Sequence, residues 1–381
     1  MLRKCMAVIL IAFSVLSAQA QEKKVTLSGY IRDAANGEEL IGATVLVSST
    51  NTGSTANLYG FYSLSLPAGT YDIVYSYVGF ESQTITVDLS AAKTLNVELT
   101  ETSQALGEVE ISAERADENV TSTDMSTVKV EMNEIKKLPA LLGEVDVIKS
   151  IQLLPGVTSV GEGASGFNVR GGSIDQNLVL LDEAPVYNSS HLLGFFSVFN
   201  PDAVKNVKLV KGGIPAEYGG RLSSLLDVRM KEGNMKQPEV SGGIGLIFSR
   251  LTVEAPIVKD KSSIILAGRR SYIDVLAKPF LNDNLSDLQF YFYDFTAKAN
   301  YIVNEKNRLF VSGYFGRDVF AAGLGVGFDW GNTTTSFRWN RIFNSKLFLN
   351  TTVYYSDYDY ALNFGDTGEE EGFEWNSSII N

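Results

Sequence analysis

The sequence predicts a mainly β protein in three consecutive parts. These are an N-terminal Ig/prealbumin-like β-sandwich, an α+β domain rich in glycine turns, and an incomplete antiparallel transmembrane β-barrel. Three observations carry that class. Short alternating segments separated by turn residues run from Val25 to Leu99, which is the spacing of sandwich strands. Gly161, Gly163, Gly166, Gly171 and Gly172 crowd one stretch that follows two short helical patterns and precedes three strands. After residue 236, apolar and aromatic residues fill every second position of long runs, the dyad of strands that cross a bilayer. The chain of 381 residues is 45% hydrophobic but has a single long apolar run, so most of its apolar character is dispersed in alternating positions.

Composition excludes several functions at once. Acidic residues outnumber basic ones 44 to 32, a formal charge of −12, which argues against a nucleic-acid partner. One His and one Cys leave no set of N/S ligands for the usual zinc site, no internal disulfide and no Cys–His pair. No metal, cofactor or catalytic residue is expected.

Residues 1–20 read as a signal peptide. Leu2-Arg3-Lys4 is a positive start, Met6 to Leu16 an apolar stretch, and Ala18-Gln19-Ala20 a small-residue cleavage site. The stretch is shorter than the ~20 residues a spanning helix needs. Cys5 precedes it and is not placed for lipid attachment. An exported chain that loses its only Cys fits a bacterial envelope.

Residues 22–100 supply the sandwich. Val25 to Ile31, Ile41 to Val47, Phe61 to Leu66, Tyr71 to Tyr77, Gln83 to Val87 and Leu95 to Leu99 are its expected strands, with turns at Asn36-Gly37 and Pro67-Ala68-Gly69. Four pieces carry a resemblance: Gly42-Ala43-Thr44-Val45, Asn57 to Leu64, Pro67 to Tyr71, and Tyr77-Val78-Gly79-Phe80. They are similar to the carboxypeptidase regulatory-like domain, which implies a non-catalytic spacer or partner-binding module. A peptidase would need a His/Glu zinc cluster, and His191 stands alone.

Residues 101–125 form a linker rich in Glu, Ser, Thr, Ala and Asp. Inside it Leu106, Glu108, Val109, Glu110, Ile111, Ser112 and Ala113 make a β-prone island. An exposed strand on a tether can pair with the edge of a partner's sheet. This segment resembles the TonB box of TonB-dependent outer-membrane receptors, and the resemblance implies the TonB C-terminal domain as a periplasmic partner.

Residues 126–235 are the α+β domain. Asn133 is expected to cap a short helix ending before Pro139, and a second helix runs from about Gly143 to Leu153 and stops at Pro155-Gly156. Strands follow at Asn177 to Asp182, Val207 to Val210 and Ser224 to Arg229, with a helical turn at Asn200-Pro201-Asp202. Gly161-Glu162-Gly163 is acidic and lacks a Lys-Ser/Thr ending, so it is not a phosphate cradle. Ordered motifs then mark a family. They hold Pro155-Gly156; Asn168-Val169-Arg170-Gly171-Gly172; Asp182 and Pro185 in Val179 to Val186; Lys211-Gly212-Gly213; and Tyr218-Gly219-Gly220-Arg221 before Asp227-Val228-Arg229. They resemble the plug domain of TonB-dependent receptors, with Lys-Gly-Gly where many members have Lys-Gly-Pro and Glu183 where many have Gly. The resemblance assigns Arg170, Tyr187, Asn188, Ser189 and His191 as substrate-facing candidates.

Residues 236–381 read as the start of the barrel. Tyr291, Tyr293, Phe295, Ala297, Ala299, Tyr301 and Val303 share one strand face, opposite Asp294, Thr296, Lys298, Asn300 and Asn304. Three later segments repeat the alternation. The run from Val240 to Ile257 breaks phase and is split by a hairpin expected near Ser249-Arg250. Connections at 258–261, 304–307 and 343–345 are short; those at 273–289, 317–331 and 358–374 read as long outer loops. About seven to eight strands result, against 22 in the family's barrel, so the chain reads as truncated.

The resemblance implies active uptake of a scarce nutrient across the outer membrane: a metal chelate, glycan, peptide or vitamin. The partners would be TonB, outer-membrane lipid, the extracellular nutrient and, as a further class, a surface lipoprotein lid. The alternative is a surface binding or signalling receptor, or a truncated product that does not transport.

Overall fold

A computed structural model describes residues 24–57, 59–102, 126–138, 144–161, 166–280, 288–322, 326–344, 347–364 and 371–381. The export leader at 1–20 and the β-prone island at 106–113 lie outside the described residues. The chain divides into two compact units, of which the first is built on residues 1–105 and the second holds most of the remainder.

The first unit is a sandwich of two sheets. One holds β4 (Phe61–Pro67), β1 (Lys24–Asp33), β7 (Lys93–Thr94) and β8 (Val97–Leu99), with β7 and β8 both paired to β1. The other runs β3 (Thr52–Thr55), β2 (Thr44–Val47), β5 (Gly69–Ser76), β6 (Gln83–Leu89). Their alternate apolar residues close one core, with Leu27, Ile31, Val45, Val47, Ile73 and Leu89 fully buried, the pattern period-2 strands impose. Tyr62 and Tyr75 cross it, their hydroxyls 3.0 Å apart, and Tyr62 also donates to Leu95 O at 2.9 Å. Burial raises both phenols, so neither ionises in the core. Gly29 is demanded by packing, since a Cβ there would lie 1.9 Å from Leu95 O. The tight turn at Asn36-Gly37 forms, with Gly37 at φ +83°.

In the second unit a five-stranded sheet runs β13 (Ala184–Pro185), β12 (Asn177–Leu181), β17 (Ser224–Met230), β16 (Val204–Val210), β9 (Thr127–Glu131). Only the β12–β17 pair is parallel. Helices α1 (Met132–Ile135) and α2 (Val147–Ile151) share an apolar core with it, including Ile135, Val147, Ile151, Val207, Leu226 and Val228. Both helices depart from expectation. Asn133 lies inside α1, whose N-cap is Glu131 without a side-chain bond. The second helix starts at Val147, not near Gly143, because the Asp146 carboxylate caps it by accepting from Lys149 N at 2.9 Å. Two hairpins project from this domain: β10 (Val157–Ser159) with β11 (Phe167–Val169), and β14 (Ser190–His191) with β15 (Phe196–Ser197).

An eight-stranded antiparallel meander follows: β18 (Glu239–Ile244), β19 (Phe248–Val258), β20 (Ser262–Ser271), β21 (Gln289–Asn304), β22 (Asn307–Ala322), β23 (Val326–Asn344), β24 (Leu347–Phe364) and β25 (Glu371–Ile380). One face exposes Leu251, Leu266, Phe295, Val311, Phe337 and Val353; the other buries Thr252, Arg269, Thr296, Asn300, Thr334 and Asn340 against the five-stranded domain. Among the described residues no helix is long and apolar enough to cross a membrane, which leaves strand crossing open. Helix α3 (Ile273–Ala277) lies in the connection after β20.

Two expectations about this sheet need correction. The first hairpin turns at Gly245-Leu246-Ile247, and Ile244 pairs with Ser249, so Ser249 and Arg250 are strand residues. The turn itself changes the phase; Phe248 faces inward, 3% exposed, onto Phe196 and Phe292, and so carries the spacing of Ile244 and Leu246 past the turn and makes the break show late. The stretches 317–331 and 358–374 are also not loops, because β22 to β25 continue through most of them. Arg317 there pairs with Asp329 and Asp359, which are charges in positions that carry apolar side chains lower on the same face.

Candidate functional site

The five-stranded domain is held to the inner face of the meander by buried charge. Asp182 and Glu183 form a turn with positive φ, +46° and +75°. Asp182 lies 2.9 Å from Lys298 Nζ and accepts from Met230 N at 3.0 Å. Glu183 takes Arg229 at 2.8 Å and Arg338 at 3.2 Å. Burial alone would raise both carboxyls. The surrounding cations outweigh it, holding Asp182 below its usual range and Glu183 at about 2.

A second anchor centres on His191, which is 1% exposed. Its Nδ1 lies 2.6 Å from Asp318 Oδ2, and its Nε2 lies 3.2 Å from Asp294 Oδ2 and 3.1 Å from the Tyr314 hydroxyl. The ring stacks on Phe292 at 4.4 Å and 14°. Leu192 N donates to the same Asp318 at 2.7 Å. Burial would drive the proton off His191; the two carboxylates override it and raise the imidazole to about 9. Asp294 is shared with Arg269, whose Nε donates at 2.8 Å. Arg269 is fully buried, pairs with Glu144 and donates to Ser197 O at 2.9 Å. One connected network thus joins three segments of the α+β domain to β20, β21 and β22.

The residues singled out in the sequence separate into two groups. Pro155, Gly156, Arg170, Lys211 and Gly212 converge where β9 begins. Arg170 has φ +49°, and its guanidinium donates to Ser126 Oγ at 2.9 Å. Lys211 Nζ donates to Pro155 O at 3.0 Å. A Cβ on Gly212 would come within 2.9 Å of Arg170 Nη1, and one on Gly172 within 2.3 Å of Ser223 Oγ. Gly171 and Gly213 supply left-handed turns. Tyr218 packs on Leu180, Val210 and Leu225, and burial, then Asp227, pushes its hydroxyl up to about 12. Gly219 and Arg221 are exposed.

The other group follows β13. Pro185 O accepts from Ser356 Oγ at 2.6 Å. Tyr187 and Asn188 are half-buried, and Ser189 and His191 are buried. Tyr187 stacks on Tyr358 at 6.0 Å, and Asn332 Nδ2 donates to Asn188 O at 2.8 Å. Arg170 is therefore not gathered with the other four. Glu144, Arg269, Asp318 and Arg338 are partners that no motif in the sequence marks; their signal is charge at inward strand positions or beside a helix cap. Among the described residues no three His, Cys, Asp or Glu side chains group to hold a metal.

Residues 27–111 match the family model of the CarboxypepD_reg-like domain, and residues 119–224 that of the TonB-dependent Receptor Plug Domain. The TonB-dependent receptor SusC of Bacteroides thetaiotaomicron is 28% identical over 258 residues, 63% of this chain and 24% of that protein. The TonB-dependent receptor P26 of Formosa agariphila is 23% identical, over 65% of this chain and 25% of its own length. The chain thus spans about a quarter of the length of the curated relatives it matches. Among solved structures, the siderophore receptor PirA from Acinetobacter baumannii aligns with a TM-score of 0.49 at 11% identity, over 70% of this chain and 46% of that one. The ferric-catecholate import receptor Fiu from E. coli aligns with a TM-score of 0.49 at 13% identity, over 68% and 45%. Its two matched domains and its receptor relatives make this chain a homologue of the TonB-dependent receptors, with a CarboxypepD_reg-like domain ahead of a TonB-dependent receptor plug.

Proposed function

We propose that the chain serves TonB-dependent active uptake of a scarce nutrient across the outer membrane. The observation that carries this is the plug held on the meander's inner face by discrete buried ion pairs beside one small aromatic cluster. Such contacts can break and re-form as a unit, whereas a continuous apolar interface would resist separation. In this reading the outer face lies in lipid, the sandwich lies in the periplasm, and residues 106–113 add as a strand to the TonB C-terminal domain. Tension on that strand, drawn from the inner-membrane proton-motive force, rearranges the plug. The nutrient crosses without any bond in it being broken. Tyr187, Asn188, Ser189 and His191 lie on the segment that meets the inner wall toward the outer turns, and a surface lipoprotein could close the mouth above them.

Deleting residues 106–113 is expected to abolish energised uptake of a labelled nutrient by whole cells while leaving its surface binding intact. Uptake that survives the deletion refutes the reading. Binding without uptake in both forms favours a signalling receptor instead.

A further inference from the structure

The outward face of the meander carries aromatic side chains at two levels. On β21 they stand at Tyr291 and Tyr293, and again at Tyr301. Ten steps from Tyr291 to Tyr301 rise about 33 Å along a strand. At a tilt of about 40° that is about 25 Å, the height of a barrel's apolar band.

The lower level continues across neighbouring strands. Tyr301 pairs with Leu309 on β22, and Leu309 with Trp339 on β23, so the three side chains share one outward row. A cation closes each end of it. Lys261 Nζ lies over the Tyr301 ring at 5.1 Å, and the Arg341 guanidinium over the Trp339 ring at 5.6 Å. The Trp339 indole is oriented by donating to Asn307 Oδ1 at 3.1 Å. Lys261 is fixed in its turn, because its N donates to Val258 O at 3.0 Å and its O accepts from Ile302 N at 2.8 Å. The turns at 258–261 and 304–307 add Lys259 and Lys306 against Asp260 and Glu305. This rim is therefore net positive on a chain of formal charge −12. The upper level differs: Arg270 lies over Tyr291 at 4.0 Å but pairs with Asp274 at 3.5 Å.

We propose that Lys261, Tyr301, Leu309, Trp339 and Arg341 form a site for diphosphatidylglycerol, an anionic phospholipid whose two phosphates are joined by one glycerol, in the periplasmic leaflet; this rests on the reading above that the outward face lies in lipid. Two strand spacings separate Tyr301 from Trp339, about 10 Å, so each cation takes one phosphate. The acyl chains then lie on Leu309 and on Ala299, Val311 and Phe337, the paired outward row above it. A cation held over a ring keeps its charge at the depth where aromatics give way to headgroups. A lipid with one phosphate satisfies one cation at a time, and a zwitterionic headgroup brings its own cation against them.

The test is native mass spectrometry of the purified protein in detergent, titrated separately with diphosphatidylglycerol, phosphatidylglycerol and phosphatidylethanolamine. Diphosphatidylglycerol is expected to bind at least about fivefold more tightly than phosphatidylglycerol, with phosphatidylethanolamine weaker still. Lys261→Gln and Arg341→Gln should each weaken it by about fivefold, and the double variant by about 25-fold. Lys261→Arg should retain it, and so should Arg270→Gln at the upper level. If the double variant fails to fold, the ranking of the three lipids on wild type and the two Lys261 variants decide. Equal binding of the three lipids, or diphosphatidylglycerol binding indifferent to both Gln substitutions, overturns the site and leaves the lipid-facing reading standing. Binding of none of them overturns both. The titration involves neither TonB nor nutrient, so the uptake reading fails separately, by its own deletion test.

Discussion

His191 is the only histidine in the chain, so its titration can be followed as a single imidazole signal. The two carboxylates that face it raise its pKa to about 9 against the pull of burial, from an ordinary value of about 6.5. That difference corresponds to about 3 kcal/mol of plug docking. Because the folded value is the higher one, the contribution is fully present below about pH 6.5 and is lost as pH rises through about 9. The assay is magnetic resonance on protein labelled at histidine Cε1, titrated from pH 5 to 10 in detergent. The expected midpoint is about 9. Asp318→Asn should lower it by about 1–3 units, since Asp318 makes the shorter contact. A wild-type midpoint at or below about 6.5 would mean that burial wins over the carboxylates, and would refute the anchor described here.

Two further perturbations probe separate parts of the molecule. Arg269→Met leaves Asp294 and Glu144 buried without their shared cation, and is expected to weaken plug docking by about 3–5 kcal/mol, read as faster proteolysis of the plug in folded protein. Gly29→Ala drives a Cβ into the Leu95 carbonyl; overpacking of this kind costs about 1–3 kcal/mol and should lower the sandwich's own melting transition while leaving His191 titration unchanged.

Legibility in the sequence followed the physics of each face. On β21 from Tyr293 to Tyr301 exposed apolar residues alternate with buried polar ones, so Tyr293 and Phe295 against Asp294 and Thr296 announce the strand. On β19, Phe248 faces inward to pack on the plug's Phe196, a contact between residues 52 positions apart that no local period reveals, and the turn was expected a few residues late. The upper strands were hidden for the opposite reason. Arg317 pairs with Asp329 and Asp359 on the outward face, while Phe320, Phe328 and Trp330 stand on the inward one, so the apolar-out alternation is lost there. The plug motifs were readable because their glycines answer to backbone geometry, as at Gly171 and Gly212. The His191 anchor was not, because Glu144, Arg269, Asp294 and Asp318 come together only through the pairing of β20, β21 and β22.

In the proposed mechanism residues 106–113 dock as a strand on TonB and thereby move the plug. Proline at Val109 removes a backbone donor and fixes φ, which a paired strand tolerates poorly. The direct measurement is the affinity of the TonB C-terminal domain for wild type and for Val109→Pro, with both proteins in detergent at equal concentration. Wild type is expected to bind, and the variant to bind at least about tenfold more weakly. Equal binding by both would contradict it.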